Sequence, residues 1–415
     1  VVPDDVVPGG GSGRPARRAR IITRRDGSVA VAVIPPLTPR ERSRRGRRLL
    51  VEREAEALRP AVFMESFGGR SGGDNPAAIC EDLAAHDVRA PLWWSVVDGT
   101  VPVPSGAVPV VVGSQEWVEA LRTSRVIVTN DHLPSWFSKR EGQHLLQTWH
   151  GTPIKKLLHD APKAVTLRYR RLMDRQVPQW DLLLAQSPQA GRRLQQALGY
   201  RGPVRVGEYP RNVRLLGGAE VRRRVRHELG IAPGQPVILY APTWRESLRP
   251  STGAAGCATV HGPGPVGELD GPRLAELLDA VVLMRSHHMN RAGCVPGMID
   301  VSGYPSVEEL MLAADILVSD YSSIFFDFAL TGKPAVVYTP DLASYRDVER
   351  GLYGDWPLGS GLPVAVDHDE LASHLQRLLG DIDVAEGCYY PLEVEPAPIL
   401  DNLTWIRGWI ARFLS

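Results

Sequence analysis

From residue 60 onward, short apolar runs alternate with amphipathic stretches. AVFMESF is apolar and ends in polar residues. Gly68, Gly69, Gly72 and Gly73 follow, and then NPAAICEDLAAH, with apolar residues at helical spacing. This predicts a strand, a glycine-rich turn and a helix. The pattern recurs. PLWWSVV, VPVVVG, RVIVTN, HLLQTWH and DLLLAQS read as buried strands, and SQEWVEALRTS and PQAGRRLQQALG as helices. A break at GEYPRN and a helix around Ala219–Leu229 lead into a second series: PVILYAPTW, DAVVLMRSHHM, MIDVSGYP, DILVSDYSS and PAVVYTP, interrupted by a Gly/Pro/Ser-rich insert at Leu248–Leu269. Apolar strands alternating with helices imply parallel sheets covered on both faces. The chain thus reads as two α/β units joined near residue 215. Ligands of such sheets sit outside the carboxyl ends of the strands, so two facing sheets would make a cleft lined by strand-end residues. The expected division is a disordered basic tail at 1–50, a first domain at 51–218 and a second at 219–415. A last helix, Asn402–Leu414, places Leu403, Ile406, Ile410 and Phe413 on one face. That stripe is expected to pack against the protein, with a return to the first domain as one outcome.

Composition narrows the class. The chain has 415 residues, 43% hydrophobic and 23% charged, as in an ordinary soluble globular protein. No apolar run approaches the roughly 20 residues that span a bilayer, and no secretory signal is expected. Cys80, Cys257, Cys294 and Cys388 lie far apart with no CxxC pair. They read as reduced thiols in a cytosol, with neither a zinc cluster nor a disulfide framework. The net charge of +1 gives no reason to expect nucleic acid as a partner. Charge is uneven, however: twelve arginines lie between Arg14 and Arg48 against two acids, Asp26 and Glu41. Residues 1–20 are expected to be disordered, and a hairpin with Asp26-Gly27 at its turn is one reading of the residues that follow. Arg40–Arg48 reads as a solvated tail, or as a contact for anionic lipid head groups. Nucleic acid ranks third because no aromatic residues interleave the charges.

Four strand ends carry candidate chemistry. In QTWHGTPIKK, the strand ends at His150, Gly151, Thr152 and Pro153. Gly151 allows close approach of a ligand, Pro153 suits a first helical turn, and an imidazole there can accept a proton. A histidine that merely bonds the turn is the plainer reading. In MRSHH, Arg285 and His287 share one side of an extended segment, and a guanidinium beside an imidazole suits a phosphate. Adjacent histidines on such a segment point apart, which argues against a metal. In ILVSDYSSIFFDFALTGKP, the strand ends at Ser319 and Asp320. Tyr321, Ser322 and Ser323 then open a helix whose free N–H groups suit an anion, and ordinary N-capping by Asp320 or Ser322 can coexist with that. Asp327, one turn on, either contacts a donor or faces solvent. In LYAPTWRE, Thr243, Trp244 and Arg245 follow the first strand of the second series, with Arg245 suited to phosphate and Trp244 to packing. There is no GxGxxG and no GxxxxGK[ST], which argues against a Rossmann dinucleotide site and a P-loop.

Taken together, ESFGG, DNPAAI, QTWHGTPIKKL, EYPRN, YAPTWRE, the RxH of Arg285–His287, DVSGYPSVEELM, SDYSSIFFDFALTGKP and YRDVERGLYGDWP resemble the bacterial CDP-glycerol glycerophosphotransferase family of teichoic acid polymerases and primases. The resemblance covers about residues 60–357. It implies an α/β, GT-B-like fold of two facing Rossmann-like domains with an interdomain cleft. It also implies transfer of glycerol phosphate, or a related alditol phosphate, from a CDP-alditol to an acceptor hydroxyl with release of CMP. His150 then matches the family's proposed base, His287 its donor-pyrophosphate contact and SDYSS its donor-phosphate loop. Gly151, Thr152, Thr243, Trp244, Arg245, Arg285, Ser319, Asp320, Tyr321, Ser322, Ser323 and Asp327 are the expected substrate contacts. No cofactor and no obligatory metal are implied. The implied partners are CDP-glycerol or a related donor, a lipid-linked or polymer acceptor, and an anionic membrane surface. The implied location is cytoplasmic, peripheral on the inner face of the cell membrane. His288 stands where the family usually has Pro, the Gly/Pro insert is unusual, and the membrane-targeting helices of the polymerases are not evident upstream of residue 60. The alternative is a GT-B glycosyltransferase with a nucleotide-sugar donor, which would release a nucleoside diphosphate. A catalytically dead scaffold would predict decay of motifs that are present.

Overall fold

The computed structural model describes residues 36–161, 163–243, 269–285, 298–380 and 394–414, together with the backbone of three short strands nearer the N-terminus. Those strands, β1 (Asp5–Val7), β2 (Arg17–Thr23) and β3 (Val29–Ile34), form an antiparallel sheet in that order. The expected hairpin is present as β2–β3, with Thr23 opposite Val29; its Asp26-Gly27 turn lies outside the described residues.

The basic stretch expected as an unstructured tail is helical over its described part, at Pro39–Arg42 and Arg44–Glu52. The signal lay between the arginines. Thr38 and Glu41 form a capping box, and Ser43 caps the second helix by accepting the Gly46 N–H. Leu37 and Leu50 are buried beside it, and the Glu41 carboxylate also accepts the Gln115 N–H at 2.9 Å.

Residues Val1–His150, Arg168–Arg211 and Ala397–Ser415 form one compact unit, and Gly151–Leu167 with Asn212–Pro396 the other. The expected contiguous division at 218/219 is therefore crossed twice. Unit 1 contains a seven-stranded sheet built from β4 (Arg59–Glu65), β5 (Leu92–Val96), β6 (Val108–Val111), β7 (Ser124–Thr129), β8 (His144–Gln147), β9 (Leu182–Ala185) and β10 (Val204–Val206). All neighbours are parallel, in the order β10-β9-β8-β7-β4-β5-β6. Read from the other edge, this is the doubly wound order, with its switch point between β4 and β7. Phe63, Met64, Trp94, Ile127 and Leu145 are wholly enclosed. The last helix, Pro396–Ala411, belongs to this unit and buries Ile399, Leu403, Ile406 and Ile410. Phe413 stacks on His144 at 3.5 Å, and Arg407 pairs with Asp82 at 2.7 Å. No helix among the described residues is long and apolar enough to cross a membrane. Of the four cysteines, Cys80 is buried and free, its thiol pushed up to about 12 by burial.

Unit 2 contains a six-stranded parallel sheet: β11 (Val237–Tyr240), β12 (Val281–Met284), β13 (Met298–Asp300), β14 (Ile316–Ser319), β15 (Ala335–Tyr338) and β16 (Val364–Ala365). The order β13-β12-β11-β14-β15-β16 is the Rossmann order, with its switch point between β11 and β14. A buried charge cluster closes the edge of this sheet opposite the switch-point loops. Asp315 accepts from Arg222 at 2.5 Å, Arg226 at 2.6 Å and the Val237 N–H at 2.8 Å. Arg222, Arg226 and Lys333 also donate to the carbonyls of residues 311–314, at the end of helix Val307–Ala313. Those carbonyls have no intrahelical partner, and three cations satisfy them. Lys333 of the LTGKP motif is therefore a helix cap.

Asp315→Ala leaves two buried guanidinium groups uncompensated. It is expected to cost about 3–5 kcal/mol, read as a lower urea midpoint with the slope unchanged. A wild-type midpoint would contradict this account.

Candidate active site

His150 stands just beyond β8, on a backbone held from three sides. Trp149 adopts a left-handed conformation, φ 54°, which a bulky residue keeps only when its surroundings impose it. The Gln147 side chain accepts the Trp149 N–H at 2.9 Å, and the Trp149 carbonyl accepts from Thr148 Oγ1 at 3.0 Å and Asn75 Nδ2 at 3.1 Å. Asn75 Oδ1 in turn accepts the Arg211 N–H at 3.2 Å. The Arg211 guanidinium donates to the His150 carbonyl and to Asp74, each at 3.0 Å. The imidazole is oriented as firmly as its backbone. Its Nδ1 lies 2.7 Å from the Asn130 carbonyl. A carbonyl only accepts, so Nδ1 carries a proton, and in the neutral ring the lone pair is on Nε2. Trp149 stacks on the ring at 4.8 Å, with Phe67 at 5.6 Å.

The switch-point loops of unit 1 adjoin this histidine. Asn130, directly after β7, accepts the Phe67 N–H through Oδ1 at 2.9 Å and donates to Ser66 at 3.1 Å. Asp131 and His132 form a pair, Oδ1 to Nδ1 at 2.8 Å. The hydrogen bond to Asp131 raises the His132 pKa against the opposing effect of burial. Burial pushes the Asp131 carboxyl up, but the bond and charge of His132 outweigh it and hold it below the ordinary range. Glu65, at the end of β4, is buried and pushed up to about 7 by burial, partly offset by the Ser95 hydroxyl that donates to it at 2.6 Å.

Unit 2 repeats the device. Asp320, directly after β14, accepts the Thr243 N–H at 2.8 Å and the Tyr321 N–H at 2.6 Å through one oxygen. Ser319 Oγ donates to the Ala241 carbonyl at 2.6 Å, and Trp356 Nε1 to the Asp320 carbonyl at 3.1 Å. Tyr321 is fully buried, bonded to Asp341 at 3.0 Å and stacked on Tyr345 at 3.9 Å. The segment after Gly151 lies here: Lys155 bridges Leu352, the Tyr353 N–H donates to the Ile154 carbonyl at 2.8 Å, and Ile154, Tyr321, Tyr345 and Leu352 share one cluster. A Cβ on Gly151 would stand 2.2 Å from Ser323 Oγ, which explains the glycine by close approach.

A sequence model of the family described as CDP-Glycerol:Poly(glycerophosphate) glycerophosphotransferase matches residues 51–387. The chain belongs to this family. It is 29% identical over 366 residues to the teichoic acid poly(glycerol phosphate) polymerase of Bacillus subtilis (strain 168), covering 84% of this chain and 47% of that protein. It therefore spans about half the length of that relative. It is 30% identical over 331 residues to the teichoic acid glycerol-phosphate transferase of Staphylococcus aureus (strain NCTC 8325 / PS 47), covering 76% of this chain and 83% of that protein. The solved structure of the wall teichoic acid polymerase TagF matches with a TM-score of 0.73 at 26% identity, covering 91% of this chain and 94% of that one.

Within this glycerophosphotransferase frame, the expected site residues separate into groups. Trp244, Arg245 and His287 lie outside the described residues, as does His288. Gly151, Thr152, Ser322 and Ser323 stand at the strand-end loops as expected. Ser319, Asp320 and Tyr321 hold the loop, with Thr243 bonded to Asp320. One alternative is corrected: Asp327 does not face solvent but is buried, accepting from Asn212 at 2.9 Å. Arg285 directs one guanidinium nitrogen at the Val301 and Tyr304 carbonyls, at 3.1 and 2.9 Å, and so clamps the DVSGYP turn. The Asn75–Arg211 clamp, the Asn130 carbonyl and the Asp131–His132 pair were missed as site residues. DNPAAI and EYPRN marked the clamp only as family motifs, and a carbonyl leaves no trace in side-chain identity.

Gly151→Ala is expected to lower the thermal midpoint, and Ser323→Gly, which removes the clashing atoms, to recover part of that loss. Additive effects in the double variant would contradict the close approach.

Proposed function

We propose that the chain transfers glycerol phosphate, or a related alditol phosphate, from a CDP-alditol to an acceptor hydroxyl of a teichoic-acid-type polymer, releasing CMP. The observation that carries this reading is His150, whose Nδ1–H is fixed on the Asn130 carbonyl, which leaves Nε2 as the accepting nitrogen of the neutral ring. Nε2 takes the proton of the acceptor hydroxyl. The oxygen attacks the phosphorus bearing the glycerol, the bond to the CMP oxygen breaks, and CMP leaves with that electron pair. Phosphoryl transfer of this kind depends mainly on positioning and charge stabilisation. His150 is the last residue of unit 1, one peptide bond before Gly151, the first of unit 2. Unit 2 is assigned the donor: Ser322 and Ser323 beside Thr243, with Arg245 and His287 as its charged contacts.

The test separates the two histidines. His150→Ala is expected to reduce the rate of CMP release by about 10²–10⁴-fold with CDP-glycerol affinity nearly unchanged. His287→Ala is expected to reduce the rate and to weaken donor binding, by about 1–3 kcal/mol for a lost charge-assisted bond. Calorimetry beside CMP assays reads both. Near-normal activity in both variants would overturn the assignment, and release of a nucleoside diphosphate from a nucleotide sugar would favour the glycosyltransferase alternative.

The enzyme is further proposed to work from the cytoplasm, peripherally on an anionic membrane face. Arg44, Arg45, Arg47 and Arg48 are exposed on one short helix, beside Leu49, which is 46% exposed. Each basic residue near such a surface contributes about 1 kcal/mol. Replacing the four by Glu, which keeps the buried Leu37 and Leu50, should weaken sedimentation with anionic liposomes at low salt and spare turnover of a soluble acceptor. Unchanged sedimentation would remove the idea.

A further inference from the structure

The doubly wound order locates a ligand crevice in unit 1 between the loops after β4 and β7. Those loops carry an arginine and a histidine that the chemistry above does not use. The Arg70 side chain is 56% exposed; its ion pair among the described residues, to Asp131 Oδ2, is at 4.0 Å, and its guanidinium lies over Gly68. His132 is held at Nδ1 by Asp131, with the edge of Tyr169 at 5.6 Å, and its Nε2 has no hydrogen bond among the described residues. The groups facing His132 are thus Asp131, Glu65, Arg70 and Tyr169. Glu65 gains charge only near pH 7, because burial pushes it to about 7. With His132 protonated, two cations face one full carboxylate charge, and the crevice is net positive.

We propose that Arg70 and the imidazolium of His132 form an anion subsite that holds the phosphodiester next to the attacking hydroxyl of the acceptor. This rests on the glycerol phosphate transfer proposed above and names how its acceptor is recognised. β8, which leads to His150, lies directly beside β7, which leads to His132, and β4, which leads to Arg70, is next. The Phe67 ring, in the loop that carries Arg70, lies 5.6 Å from the His150 ring, and Asp131, which pairs with both cations, feels the charge of His150. An acceptor whose terminal hydroxyl meets Nε2 of His150 would therefore carry its adjoining phosphodiester toward the two cations. A guanidinium offers paired donors to phosphate oxygens, and the Asp131 bond keeps His132 cationic to higher pH than an unpaired imidazole. The site therefore favours acceptors already ending in an alditol phosphate over a plain alcohol.

The test compares a lipid-linked glycerol phosphate oligomer with a lipid carrying the same terminal polyol and no phosphate. Arg70→Ala and His132→Gln should each raise KM for the phosphorylated acceptor about tenfold. The KM for CDP-glycerol, kcat, and KM for the phosphate-free acceptor should change little, and Arg70→Lys should recover part of the loss. In the wild type, KM for the phosphorylated acceptor should rise as pH rises through the elevated His132 pKa. In His132→Gln that rise should be absent. Unchanged KM in both variants overturns the proposal. So does an equal fall in kcat for the two acceptors, which would assign His132 to proton transfer. Titration of sn-glycerol 3-phosphate, followed by the His132 ring resonance, reads the subsite without turnover. If the wild type releases no CMP with any acceptor, the transfer reading fails, and lack of a phosphate-dependent shift in this titration separately overturns the subsite.

Discussion

In each unit, one side chain directly after the fourth strand of the doubly wound sheet reaches across the switch point and accepts a backbone N–H from the loop after the first strand. Asn130 does this for Phe67 and Asp320 for Thr243. The constraint is severe, because a switch point is where neighbouring helices diverge to opposite faces and the loops lose sheet pairing. Without an acceptor there, the buried N–H of each loop would lack a partner, at a cost comparable to a lost hydrogen bond. With it, the crevice keeps a fixed width. The remaining groups of each strand edge take their positions from that bond: the Asn130 carbonyl that orients His150, and the Asp320 carbonyl that receives Trp356.

The same logic explains why so many motif residues act on the main chain. Asn75 and Arg211 hold the carbonyls of Trp149 and His150; Arg285 holds those of Val301 and Tyr304; Lys333 holds the end of a helix. Each is a polar group buried with its partners supplied, which gives geometry rather than chemistry. The His150 imidazole needs both kinds of support. Its backbone is turned by a left-handed Trp149, and its ring is oriented by a carbonyl 20 residues earlier, before the intervening strand β8.

Much of this was legible in the chain. Strand and helix periodicity gave the two α/β units, and strand-end polarity located His150, Thr243 and the SDYSS loop at carboxyl edges. What was not legible has physical causes. The capping box at Thr38 and Glu41 was masked by the arginine density around it. The crossing of segment 151–167 into unit 2 depends on pairing between Lys155 and Leu352, two residues with no mutual sequence signal. The burial of Asp327 against the Asn212 side chain, and the Arg285 bonds to the Val301 and Tyr304 carbonyls, follow only from the tertiary fold. Trp244, Arg245 and His287 lie outside the described residues, so for them the sequence remains the source of their assignment.

Side chains bonded to main chain cannot change without moving a loop, whereas those at the same edge that pair only with another side chain can. Asn130, Asn75 and Arg211 are in the first group, and Arg70 and the His132 ring in the second. A scaffold built this way separates the placing of His150 from the charge beside it. The hydrogen bonds that orient His150 include neither Arg70 nor the His132 ring, so the charge of the crevice can be altered while the His150 ring stays in place. The carboxylates reinforce the separation. Asp131, half-buried beside His132, is held below the ordinary carboxylate range, whereas Glu65, sealed beneath Ser95, is shifted to about 7 because burial outweighs the Ser95 bond and the charges of His132 and Arg70. Two acids on adjacent strand ends are thereby shifted in opposite directions, Asp131 down by its pairing with His132 and Glu65 up by burial, with the Ser95 bond offsetting only part of that rise. The charge at this edge of unit 1 therefore depends on burial and pairing as well as on the number of charged residues present.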